Sequence, residues 1–105
     1  MTPVQQARLT GLRASLEQRG VWLTTPGGRR LRALIEIVVA EAGAYALEPE
    51  LRNAAIVHVV REDLAGETIA IGDSFAAVDP DQRYRVTRIE DQPVNVAIRF
   101  HTELD

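Results

Sequence analysis

The final third of the chain alternates between apolar and polar residues, and this alternation constrains the fold more than any other feature. Successive side chains of a β-strand point to opposite faces, so a period of two indicates a sheet with one buried face. One face of the last predicted strand carries Val94, Val96, Ile98 and Phe100. Short strands joined by polar turns predict a mainly β fold, either a small β-sandwich or a barrel.

The same pattern continues towards the N-terminus and predicts six strands. Their ranges are 21–25, 30–40, 55–61, 68–71, 83–89 and 94–101. Residues 74–78 fit either a further short strand or part of a connection. On the second strand, alternate residues from Leu31 to Val39 share one face, and Arg30 and Arg32 lie on the other. The residues expected in the core are Ile35, Ile37, Val57, Val59, Val86, Val96 and Ile98.

Residues 1–20 follow a helical pattern instead. Thr2 can cap the helix, with Pro3 at its first position and Gln5 completing a capping box. A narrow apolar stripe recurs at helical spacing through Leu9, Leu12 and Leu16. Gly20 is expected to end the helix.

Residues 41–53 break the strand rhythm. Gly43 and Pro49 oppose regular structure, and the apolar Tyr45, Leu47 and Leu51 show no period. Long loops in compact domains are usually functional or disordered. We therefore predict one long mobile loop here, with a short helix as the alternative.

Composition is that of a single soluble domain, residues 1–105. The absence of cysteine excludes disulfides and thiolate metal sites, and no apolar stretch is long enough to span a bilayer, so we expect a cytoplasmic protein with no membrane contact.

All twelve basic residues are arginine. Residues 1–35 carry six arginines and one acid, a net charge of +5, whereas residues 36–105 carry six arginines and fourteen acids, a net charge of −8. Such halves would form complementary faces only if they also separate in space.

No cluster of residue types points to catalysis. His58 and His101 each lie alone in a predicted strand, and Ser15 and Ser74 lie outside any nucleophile motif. The turn at 26–30 lacks the lysine and the helix of a phosphate-binding loop. We predict that the protein is not an enzyme and has no catalytic residue, cofactor or metal.

The order of parts from Val21 to Leu104 resembles the head-tail joining proteins of tailed bacteriophages, also termed head-completion or stopper proteins. The shared layout is an early hairpin, a long irregular loop, a β-branched strand and a charged connection. The connection leads into the element Gly66-Glu67-Thr68-Ile69-Ala70-Ile71-Gly72. The strand Tyr84–Ile89 and the turn Glu90–Pro93 then precede the last strand.

The resemblance implies a structural role at the phage neck. The protein would join the DNA-filled head to the tail as part of a homo-oligomeric ring, contacting the portal or connector on one side and tail proteins on the other. It would be a monomer when isolated, and would lie in the host cytoplasm during assembly and then in the virion. DNA would pass nearby without sequence-specific binding. The expected interface residues are Arg29, Arg30, Arg32, Tyr45, Leu47 and Leu51.

A stand-alone β-barrel that binds a small ligand or a peptide is the alternative function. It requires a defined pocket in the monomer, lined by residues such as Trp22, Tyr84 and Phe100. Packing of these three aromatic side chains in the core is the expectation that we favour.

Overall fold

The computed structural model of the chain describes the backbone of residues 2–41, 51–78 and 81–105, and the side chains of residues 2–38, 54–78 and 81–105. The chain begins with helix α1 (Pro3–Arg19). The remaining elements are β1 (Val21–Thr24), β2 (Arg30–Glu41), β3 (Leu51–Val60), a 3-10 turn (Arg61–Leu64), β4 (Ser74–Val78), β5 (Asp81–Glu90) and β6 (Ala97–Leu104).

The strands close into an antiparallel barrel in the order β1-β2-β3-β6-β5-β4. The seam between β1 and β4 is short, with Leu23 opposite Ala77 and Thr24 opposite Ala76. The prediction of a mainly β fold with an N-terminal helix is confirmed, and a barrel is the form that it takes. Closure gives each of the six strands a neighbour on both sides, which removes free edges from the wall of the barrel.

The barrel interior is filled by side chains that alternate along the strands. Phe75 and Phe100 meet edge to face at its centre, with their ring centroids 5.2 Å apart. Thr102 is the one buried threonine among the described strand residues, and its hydroxyl donates a hydrogen bond to the carbonyl of Ala55. The core cluster comprises Leu23, Leu31, Ala33, Ala55, Val57, Val59, Leu64, Ile69, Phe75, Ala77, Tyr84, Val86, Ile98 and Phe100.

One end of the barrel is sealed by residues 61–73, which form the closing connection between β3 and β4. Leu64 and Ile69 of this connection insert into the core. The buried hydroxyl of Thr25 donates to Glu67 Oε1 at 2.8 Å, which ties the β1–β2 turn to the closing connection. A Cβ on Gly27 would overlap the Glu67 carboxylate, so glycine is required at this close approach. The end that holds these contacts is termed the lower end.

The opposite, upper end carries a two-stranded extension. The last residue of β2 that pairs with β1 is Ala33, opposite Val21. Along β3, pairing with β6 begins at Ala54, opposite Glu103. Leu34–Glu41 therefore pair with β3 alone and Leu51–Asn53 with β2 alone, and these residues are termed the β2–β3 extension. At a rise of about 3.3 Å per residue, the edge of β2 runs about 25 Å past its last β1 partner.

Helix α1 begins as the sequence predicts. The Thr2 hydroxyl accepts from the Gln5 amide, and the Gln5 side chain accepts from the Thr2 amide, which completes the capping box. The helix ends at Gly20, where a Cβ would collide with the Leu16 carbonyl. Of the apolar stripe, Leu16 is buried, whereas Leu9 and Leu12 are half-buried above the outer face of the barrel. The helix thus forms a second, smaller apolar contact outside the main core.

Two strand predictions are wrong in position. Residues 68–71 form no strand, because the Asp73 side chain and the Gly72 amide hold this segment in a turn against Ala70 and Val86. The strand lies instead at 74–78, one of the two alternatives left open. The last strand starts at Ala97 rather than at residue 94, since Arg61 bonds the carbonyls of Gln92, Asn95 and Val96 through its side chain and amide and holds them in a loop.

The predicted loop at 41–53 is shorter than expected. Glu41 pairs with Leu51 at the end of the β2–β3 extension, and residues 51–53 belong to β3. The strand predicted at 55–61 therefore begins earlier, at Leu51, and ends at Val60. Residues 42–50 lie outside the described part of the chain, and the mobility predicted for them stays a prediction.

The predicted core is mostly correct. Val57, Val59, Val86 and Ile98 are buried. Ile35 is half-buried against the core and Val96 is half-buried in the loop before β6. Ile37 is 60% exposed, so its assignment to the core is wrong. Ile37 does lie on the inward face of β2, but β1 ends before it and leaves that face open.

Candidate functional site

The predicted interface arginines lie together on the β1–β2 hairpin. Arg29 closes the turn, where its amide donates to the Thr25 hydroxyl and its carbonyl accepts from the Thr25 amide. Arg30 and Arg32 follow on the outward face of β2. Of the other predicted interface residues, Leu51 begins β3, with only its backbone described, and Tyr45 and Leu47 lie outside the described residues.

These arginines form one side of a surface groove with a volume of about 510 Å³, termed the arginine–tryptophan groove. It lies between the second half of α1, the β1–β2 hairpin and the start of the closing connection. Its charged and aromatic lining comprises Arg13, Glu17, Trp22, Arg29, Arg30, Arg32, Glu62 and Asp63. Leu16 and Leu31 form its floor, and both are buried.

Trp22 is the side chain that the sequence interpretation misplaced. It was expected to pack in the core, but its side chain is 50% exposed. The guanidinium groups of Arg32 and Arg30 lie 4.8 and 5.5 Å from its ring centroid. The alternation of β1 contains the missing signal: Leu23 points inward, so Trp22 must point outward, towards Arg32 opposite it on β2.

The opposite side of the groove is acidic. Arg13 from α1 reaches across to both oxygens of Asp63, at 2.7 and 2.8 Å, and to Glu62 at 2.7 Å. The hydrogen bond with Asp63, and then that with Glu62, raise the pKa of Arg13 above its ordinary value. Arg13 is therefore neutralised within the chain, and this contact joins the basic first third to the acidic remainder. The two sequence halves do not form separate faces at this point.

Charges on the outer surface of β5 and β6 are also paired within the chain. Arg85 bonds Glu103 at 2.6 Å. Glu90 accepts from Arg88 at 2.7 Å and contacts Nε2 of His101 at 2.6 Å. The hydrogen bond with His101 is the largest of the effects that lower the pKa of Glu90 below its ordinary value. For Arg29, Arg30 and Arg32, by contrast, the structure records no carboxylate partner among the residues that it describes.

The pocket expected for a ligand-binding barrel is not formed. Tyr84 and Phe100 are buried in the core, as the favoured packing expectation has it, whereas Trp22 lies outside the barrel wall. His58 contacts Glu36 at 3.3 Å on the outer surface, and His101 belongs to the Glu90 cluster. Within the described ranges, no three His, Asp or Glu side chains come together in a metal-binding arrangement.

The glycine-bounded element at residues 66–72 has a structural role. Gly66 and Gly72 adopt positive φ angles of 87° and 96°, which favour glycine. Between them, Glu67 bonds Thr25 and Ile69 enters the core. This element therefore shapes the closing connection and offers no exposed reactive group.

No model of a known protein family matches the chain, and no curated protein matches its sequence. In the part of the chain that the structure covers, no helix has the length and apolar character needed to cross a bilayer.

Proposed function

We propose that the protein is a structural component of the neck of a tailed bacteriophage, where copies of it form a ring that joins the head to the tail. The observation that carries this proposal is the combination of a closed barrel with a projecting two-stranded extension. A ring needs a contact between two different surfaces of neighbouring copies whose rotation closes, and the extension offers one such surface. The order of elements from Val21 to Leu104, on which the resemblance rests, supplies the link to the phage neck.

The β2–β3 extension supports contact between subunits. Unpaired strand edges are templates for pairing with another chain, and proteins usually cover or interrupt them. From Leu34 to Glu41, no described strand pairs with the outer edge of β2. The 60% exposed Ile37 lies on the same segment and would gain burial against a neighbouring copy. Portal and tail proteins would then bind the two rims of the ring.

The test uses the phage or prophage that encodes the chain. Deletion of the gene is expected to leave DNA-filled heads without tails, visible by electron microscopy, and a plasmid copy is expected to restore complete particles. Normal infectious particles from the deletion strain would overturn the proposal. The purified chain is expected to sediment as a monomer and to form a ring only when mixed with the portal complex.

Two variants probe the extension itself. Ile37→Glu places a charge on the exposed part of β2 and should abolish complementation while leaving the fold intact. Ile71→Glu is the matched control, because Ile71 is 68% exposed in the closing connection at the other end of the barrel. If Ile37→Glu complements as well as Ile71→Glu does, the extension is not the subunit contact.

A stand-alone binding module is the second candidate, and the arginine–tryptophan groove is the observation that favours it. The groove is open, charged and built on rigid elements, which suits recognition of a partner by a monomer. The deletion experiment separates the two candidates. Complete particles in the absence of the gene would leave the binding module as the function that remains.

A further inference from the structure

The arginine–tryptophan groove has two sides with different charge behaviour. On the acidic side, Arg13 is bonded to Asp63 and Glu62, so its charge is already paired within the chain. On the basic side, Arg30 and Arg32 lie against Trp22, with no carboxylate recorded on either in the described part of the chain. The groove thus presents positive charge that none of the described residues neutralises.

The cation–π contact with Trp22 restrains the guanidinium groups of Arg30 and Arg32. Because the indole ring has no hydrogen-bond acceptor atom, this contact leaves the guanidinium N–H donors unused. Arg30 and Arg32 therefore retain donors for an incoming anion, and their side-chain freedom is already reduced. Pre-ordered arginines beside an exposed tryptophan are the residue types that dominate binding energy at protein interfaces.

The acidic side restricts what can bind. Each strand of duplex DNA carries a phosphate about every 3.4 Å of helix axis, so a duplex lying in the groove would bring phosphates against the opposite wall. That wall carries Glu17, Glu62 and Asp63. A protein segment avoids this repulsion from the acidic side, because its carboxylates can be spaced so that they face Arg30 and Arg32 alone.

We propose that this groove binds an acidic segment of a partner protein, in which carboxylates accept hydrogen bonds from Arg30 and Arg32 while an apolar side chain lies beside Trp22. The inference goes beyond the proposed function, because it depends on the groove alone and not on membership of a phage neck. Its failure would leave the ring proposal intact, since that proposal uses the β2–β3 extension.

Trp22 provides the measurement, because it is the only tryptophan of the chain. The full chain is titrated with a capped peptide of alternating glutamate and leucine, and Trp22 fluorescence is recorded. A saturable change that weakens with added salt is expected. The double variant Arg30→Gln/Arg32→Gln should bind about tenfold more weakly, through loss of charge-assisted hydrogen bonds.

The matched control is Arg85→Gln/Arg88→Gln, which removes two exposed arginines that are already paired with Glu103 and Glu90. This control should bind the peptide as the unaltered chain does. Equal weakening in both double variants would show a general charge effect and overturn the proposal. Tighter binding of an oligothymidylate of equal charge would overturn it in favour of nucleic acid. Absence of a saturable change up to about 1 mM peptide, the weak limit of specific affinity, would also overturn it.

Discussion

Apolar residues on the inward face of β2 are buried at the lower end of the barrel and exposed at the upper end. At the lower end, Leu31 is 4% exposed beneath the closing connection. At the upper end, Ile37 lies on the same face of the same strand and is 60% exposed. The difference lies in the neighbours: Leu31 has β1 beside it and Leu64 in the same core cluster, whereas β1 ends before Ile37. Alternation therefore determines which face of a strand a residue occupies, and closure of the barrel determines how deeply it is buried.

The largest expected change in the free energy of unfolding comes from a substitution at the sealed lower end. Ile98 is 6% exposed and lies beside Leu64 and Ile69 in the lower part of the core. Ile98→Ala should reduce the free energy of unfolding by about 2–5 kcal/mol, as truncation of a buried side chain leaves a cavity. Urea denaturation followed by circular dichroism measures the change. A loss below about 0.5 kcal/mol, the range of surface sites, would contradict burial of Ile98.

A smaller effect is expected from the polar contact that holds the closing connection. Thr25→Val keeps the side-chain shape but removes the hydroxyl that donates to Glu67 and accepts from the Arg29 amide. Glu67 Oε2 is already buried without a hydrogen-bond partner among the described residues, so the carboxylate would lose its remaining side-chain donor. The expected cost is about 1–3 kcal/mol.

Thr87→Val is the control for that substitution. Thr87 is exposed on β5, and its hydroxyl donates to the His101 carbonyl at 3.2 Å. Loss of a hydroxyl at a surface site should change the unfolding free energy by less than about 0.5 kcal/mol. Equal costs for the two variants would show that the Thr25–Glu67 contact does not seal the lower end.

In the isolated chain, truncation of an apolar side chain at the open upper end should leave the free energy of unfolding almost unchanged. Ile37→Ala is expected to change the unfolding free energy by less than about 0.5 kcal/mol, because an exposed side chain gains little on folding. The same denaturation experiment compares it directly with Ile98→Ala. A cost of about 2 kcal/mol or more would show that Ile37 is buried in solution and would remove the contrast between the two ends.

The smallest expected effect on stability comes from protonation of Glu90 at acid pH, at the lower part of β5 and β6. The His101 hydrogen bond holds the pKa of Glu90 below its ordinary value of 4.5. A carboxylate whose pKa is lowered by folding stabilises the fold above its ordinary pKa, and this stabilisation is lost as the pH falls through the lowered pKa. His101→Ala should move the pKa of Glu90 upwards in an NMR titration of the side-chain carboxyl. An unchanged pKa would contradict the assigned cause.

Short-range patterns predicted the parts of the fold that depend on local chemistry. The capping box of Thr2 and Gln5, the turn at Pro26–Gly28 and the inward face of β2 all follow from the residues within a few positions. The mainly β architecture followed from period-two alternation for the same reason. For the candidate site, the sequence indicated Arg29, Arg30 and Arg32 from their local charge density, but not Trp22 as their companion.

Contacts between residues far apart in the sequence decided the secondary structure of the remaining segments. Residues 68–71 alternate like a strand, yet Gly72 and Asp73 bond Val86 and draw them into a closing turn. Val94 alternates with Ile98, yet Arg61, more than thirty positions away in the chain, holds the segment before Ala97 as a loop. The weakly patterned segment Ser74–Val78 becomes a strand because β1 and β5 flank it.

The sequence by itself determined that the chain is mainly β, where the helix begins and ends, and which face of β2 is apolar. Only the tertiary structure decided that the sheet closes into a barrel and that Ile37 is exposed beyond the end of β1. It also decided that Arg13 is paired with Asp63 and Glu62 while Arg30 and Arg32 lie against Trp22. The physical reason is the distance along the chain over which each kind of interaction acts. Backbone preference and side-chain period act over a few residues, whereas burial and charge pairing depend on groups that meet only after the chain has folded.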